Sequence, residues 1–117
     1  MKDLKISKEL INEALNIPKE NIVDIYIDGK YLLIKKDNNR IEEHNIYEFA
    51  FKCKEWAKNK EYIVHSSPTQ KIEYTAIVQS FDFNKFYYGE NQFYALTEVD
   101  AIIKACEWIL KELNENR

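Results

Sequence analysis

Apolar residues fall at helical spacing near both ends of this chain and in its middle, and alternate with polar ones between. Ser7 can cap the free N–H groups of a first short helix that carries Leu10, Ile11, Ala14 and Leu15 on one face and stops before Pro18. Residues 21–28 alternate, with Val23, Ile25 and Ile27 on one side, and Asp28-Gly29 leads into Tyr31–Lys36 as a tight hairpin. Asp37–Arg40 is a polar turn that reverses the chain or feeds a short third strand. Asn45, with Glu48 three residues on, predicts a second helix that buries Ile46, Phe49, Ala50, Cys53, Trp56 and Ala57.

Two strands are expected at 62–66 and 71–81, with Ile72, Tyr74, Ala76 and Val78 on one face of the longer one. A further strand or strand pair spans 83–96 around Gly89. Thr97 and Asp100 start the last helix, where Val99, Ile102, Ile103, Cys106, Ile109, Leu110 and Leu113 follow at helical spacing. Ala101, Ala105 and Trp108 widen that stripe, which suggests a second contact such as a dimer partner. The fold class expected is α+β: an antiparallel β-sheet packed by an N-terminal, a middle and a long C-terminal helix, as one domain over residues 1–117.

Composition narrows the function classes. With 17 basic and 20 acidic residues the net charge is −3, so no overall field draws the protein to nucleic acid. The first residues hold no apolar run of a signal peptide and no later stretch is long enough to span a bilayer, so a cytoplasmic protein is expected. Cys53 and Cys106 both lie on core stripes and read as reduced, buried thiols.

A chain with two glycines cannot build phosphate-cradling loops or dinucleotide fingerprints. His44 and His65 with the two cysteines lack the close pairings of zinc motifs, so no metal and no cofactor are expected. A Cys53 nucleophile with a His65 base fails on burial, which makes a thiol inert. Glu42-Glu43, Asp24 with Asp28, and Lys52, Lys54, Lys58 and Lys60 all read as solvated positions. The chain is therefore expected to bind rather than to catalyse.

The unusual region is 80–96, which packs seven aromatics, Phe81, Phe83, Phe86, Tyr87, Tyr88, Phe93 and Tyr94, into one short span. Asn84, Lys85, Asn91 and Gln92 interleave with them and supply hydrogen-bond partners for a flat heterocycle stacked on a ring. The competing reading is that these rings build the sheet face and a dimer interface.

The LINEAL segment at 10–15, a strand-rich middle and an aromatic strand running into ALTEVDAIIKACEWIL at 95–110 resemble small phage and prophage proteins of the ABA-sandwich kind. Among small phage proteins of this size, the Thoeris anti-defence sponges are similar in outline: non-enzymatic oligomers that sequester a cyclic ADP-ribose signal. The resemblance implies a phage-encoded homodimer or higher homo-oligomer in the host cytoplasm. It would stack adenine on Phe81, Phe83 and Tyr88, with Asn91 and Gln92 as polar partners. Arg40 and Arg117 are the only arginines, so Lys85 and Lys104, with Arg40, would hold the pyrophosphate. The alternatives are an anti-CRISPR-like inhibitor that uses exposed aromatics against a host defence enzyme, and a prophage structural or accessory protein.

Overall fold

Ser7 opens the first helix as its chemistry predicts: the Leu10 N–H donates to Ser7 Oγ at 3.0 Å, and α1 runs over Lys8–Leu15. In the computed structural model, residues 5–69, 72–80 and 92–115 are described. Asn16 ends α1 in the left-handed region at φ 60°, and its N–H donates to the Asn12 carbonyl. After a single 3₁₀ turn at Lys19–Asn21 come β1 (Ile22–Asp28), β2 (Tyr31–Lys36) and β3 (Ile41–Asn45), an antiparallel sheet in the order β1-β2-β3. The β1–β2 loop is Gly29-Lys30, with Gly29 at φ +62° in the first loop position, where a tight hairpin needs a residue free of a Cβ.

Asn45 caps α2 (Ile46–Asn59) by accepting from the N–H groups of Tyr47 and Glu48. All six residues of its expected stripe are buried. A second antiparallel sheet follows: β4 (Tyr62–Pro68), β5 (Tyr74–Ser80) and β6 (Gln92–Ala95), in that order. The last helix, α3 (Glu98–Glu115), starts where the Asp100 N–H donates to Thr97 Oγ1 at 3.1 Å.

The α+β class with N-terminal, middle and long C-terminal helices holds, and the strands divide into two three-stranded sheets. α3 packs across all three strands of the second sheet, α2 lies against α3 and β4 while reaching β2 and β3, and α1 rests on α2. One cluster of buried apolar side chains draws on all three helices and both sheets.

Three local expectations change. Val23 does not share a face with Ile25 and Ile27: a bulge between Ile22 and Asp24 takes it out of register, and Ile22 occupies the core position beside β2 instead. Ile72 stands before β5 rather than within it and is 87% exposed, because pairing with β4 begins at Tyr74. Ala101 and Ala105, read as spare width on α3, are fully buried within this chain, so α3's breadth is used by α2 on one side and the second sheet on the other.

Candidate functional site

Strand pairing sorts the second sheet into two faces. Directly opposed residues share a face, so Val64, Val78, Ala76 and Phe93 point toward the helices. Phe93 lies 6.0 Å from Trp108, ring centre to ring centre, at a 51° tilt, and this ring of the aromatic segment belongs to the core. The opposite face carries three rows: Ile63 beside Gln79; His65, Ile77 and Gln92; and Ser67, Thr75 and Tyr94.

A solvated outer face is ordinary for an antiparallel sheet. This one differs in the hydrogen-bonding capacity it leaves unspent. Gln79 Oε1 is 3.2 Å from His65 Nε2, and Gln92 Oε1 accepts from the Tyr94 hydroxyl at 2.6 Å. Both amides thereby fix their oxygens and leave their NH₂ groups without a partner among the described residues. Between Ser67 and Tyr94, the Thr75 hydroxyl is buried and also lacks a partner among the described residues. Ile63 and Ile77 supply apolar ground between these groups, and the half-exposed Tyr94 supplies a ring.

The residues expected to bind ligand are distributed as follows. Gln92 is on this face, and Lys104 from α3 donates to the Tyr94 carbonyl at 3.0 Å, which places it against β6. Arg40 lies in the other sheet, at the β2–β3 turn, where its carbonyl accepts from the Lys36 N–H at 2.8 Å. Phe81, Phe83, Lys85, Tyr88 and Asn91 lie outside the described residues.

Comparison with family models, curated proteins and solved structures found no match.

Cys53 and His65 do not converge. Cys53 is fully buried on α2 against Cys106 of α3, and its hydrogen bond to Cys106, then burial, push its thiol well above the ordinary range. His65 stands exposed on the outer face of β4. Among the described residues no three His, Cys, Asp or Glu side chains gather as a metal site.

Two groupings were not legible in sequence. Glu42, read as solvated, faces the packed side of the first sheet, because it pairs with the buried Ile34. There Lys36 forms an ion pair with it and His44 Nε2 lies 3.0 Å away; Lys36, then His44, hold its carboxyl below the usual range. This cluster closes the β3 side of the core with matched charges. The second grouping is a cleft of about 280 Å³ between α2 and β4, lined by Phe51, Lys54, Glu55, Lys58, Ile63 and Val64. Helical spacing alone puts Phe51, Lys54 and Lys58 on one face, but the strand that completes the cleft comes from tertiary packing.

Proposed function

We propose that the protein binds a small nucleotide-type ligand on the outer face of the second sheet and holds it without chemistry. The observation that carries this reading is the pair of unspent amides there, on Gln79 and Gln92, beside the Tyr94 ring. A purine needs a ring to stack on and donors and acceptors at its edge, and these groups supply both. The resemblance to anti-defence sponges names the ligand as a cyclic ADP-ribose-type signal, captured in a host cell by a phage-encoded protein. No reacting group is required, which agrees with thiols that are buried away from this face.

The test is a thermal-shift screen of the pure protein against cyclic nucleotides and cyclic ADP-ribose isomers, followed by heat release and mass analysis. A ligand at a thousand times its dissociation constant adds about 4 kcal/mol, a rise of roughly 10 °C or more in a domain of this size. Intact released ligand is the expected result; a chemically altered one would mean an enzyme, and no shift across the panel removes the reading.

A second reading, that the chain inhibits a host defence enzyme by direct contact, is favoured by the outer face of the first sheet. Tyr26, Leu33, Tyr31 and Ile41 lie on it, with Tyr26 at 47% and Ile41 at 59% exposure. The same face would carry the homodimer contact.

A further inference from the structure

We infer that the cleft between α2 and β4 is the anion subsite of this protein, which takes the phosphate or pyrophosphate of the nucleotide-type ligand through Lys54 and Lys58. The inference rests on the proposed ligand class and adds the residues that would hold its charge, a role the resemblance implied for Lys85, Lys104 and Arg40.

Phe51 and Glu55, and Lys54 and Lys58, are pairs four residues apart on neighbouring rows of one face of α2, and Ile63 and Val64 of β4 close the far side. The floor is apolar and the rim bears two ammonium groups one helical turn apart. Like charges at that spacing destabilise a helix unless something neutralises them. No direct ion pair does so among the described residues: those present are Lys19–Glu9, Lys36–Glu42 and His44–Glu42, and Glu55, the one carboxylate on the lining, pairs with neither lysine. Among the described residues Lys54 Nζ donates to the Ser66 hydroxyl alone, at a long 3.4 Å, while that hydroxyl donates to Glu98 at 2.6 Å. A bond this long is easily exchanged for an anion.

The cleft also adjoins the proposed base face. Ile63 lines it and pairs across to Gln79 of β5, whose amide meets His65 on the outer face. A base on the Gln79–Gln92 side could therefore extend its phosphates round the edge of β4, which among the described residues is paired on its β5 side alone. Phe51, 61% exposed at the mouth, would cover the ribose. Lysines bind phosphate as point charges without the two-pronged geometry of arginine, so a chain this poor in arginine can still hold one.

The experiment is an amide NMR titration of the full chain with inorganic pyrophosphate, adenosine and ADP, repeated on K54Q/K58Q, on the control K52Q/K60Q and on Q92A. Pyrophosphate is expected to shift signals at 51–58 and 63–66 in the wild type, the control and Q92A, and to leave K54Q/K58Q unmoved. ADP is expected to bind about tenfold or more tightly than adenosine, with the advantage lost in K54Q/K58Q. Pyrophosphate that shifts nothing in those segments, or shifts them equally in K54Q/K58Q, overturns the inference. Equal loss in K52Q/K60Q also overturns it, because that would be attraction to the helix as a whole. If adenosine and ADP leave Ile77, Gln79 and Gln92 unmoved while pyrophosphate still occupies the cleft, the base face fails and the anion subsite stands.

Discussion

Left-handed backbone positions expose this chain's shortage of glycine. Positive φ occurs at Asn16, Asn39 and Glu61 besides Gly29. Asparagine tolerates this region, and it ends α1 and completes the β2–β3 loop, where the Asn39 N–H donates to the Lys36 carbonyl at 3.0 Å. Glu61, at φ 71° after α2, makes the matching bond from its N–H to the Lys58 carbonyl at 3.0 Å but lacks asparagine's tolerance of this region. Replacing it in E61G should relieve strain and stabilise the protein by about 1 kcal/mol, a rise of roughly 3–6 °C in Tm, measured by calorimetry.

Glu107 is the residue whose titration the fold most clearly governs. It accepts from the Ser7 N–H at 2.7 Å and from the Ser7 hydroxyl at 2.8 Å, tying the start of α1 to α3. Burial raises its pKa, and the two bonds from Ser7 only partly oppose that. A carboxyl whose pKa is raised on folding binds its proton more readily in the native state. Its contribution to stability is therefore greatest below the ordinary carboxylate value of 4.5 and falls as the pH climbs from there through the raised value. Glu42 has the opposite sign: its lowered pKa supports the fold above 4.5, and that support is lost on acidification. The Tm of E107Q minus that of the wild type should accordingly grow from pH 4.5 to pH 7, as read in paired melting curves. A difference that stays constant across this range would show that Glu107 does not titrate between these limits.

At the scale of the element, α2 serves two purposes with two faces. Its buried stripe centres on Phe49, one of the largest fully buried side chains, while Phe51 points outward to the cleft. Helical periodicity separates these two phenylalanines by about 200°, which is why positions two residues apart on α2 can be core and site. F49A should cost about 3–5 kcal/mol and bring the protein near unfolding at 37 °C. F51A should change denaturant stability by less than about 0.5 kcal/mol while weakening ADP binding, since an exposed ring contributes little to folding. Similar losses of stability in the two variants would place Phe51 in the core. The other elements divide in the same manner: β6 turns Phe93 inward to Trp108 and Gln92 and Tyr94 outward, so the aromatic segment is partly core and partly surface over just these residues.

At the scale of the whole molecule, the two sheets offer different outer faces. The second presents amides, hydroxyls and one ring, suited to a polar heterocycle. The first presents Tyr26, Tyr31 and Ile41 among Asp24, Asp28 and Glu43, with the Asp24 carboxyl held low by its bond from the Tyr26 hydroxyl. Protein contacts are enriched in aromatic side chains and poor in Asp and Glu, so the part of this face that suits one is the run of Tyr26, Tyr31 and Ile41. Sedimentation of the wild type as a dimer and of I41D as a monomer, with ligand binding retained, is the expected result. A monomeric wild type removes the homodimer from this face.

The sequence by itself determined the elements of this protein. Caps at Ser7, Asn45 and Thr97, the stripe of α2, the hairpin at Gly29 and the long apolar face of α3 are all present as read, because capping and periodicity depend on neighbours within a few residues. Only the tertiary structure decided how those elements meet. The division of the strands into two sheets, the bulge that exchanges Val23 for Ile22, the inward turn of Glu42, and the meeting of Lys54 and Lys58 with Ile63 were not legible. Each depends on segments brought together by packing, and a run of lysines on a helix reads as a solvated face until the strand beside it makes a cleft.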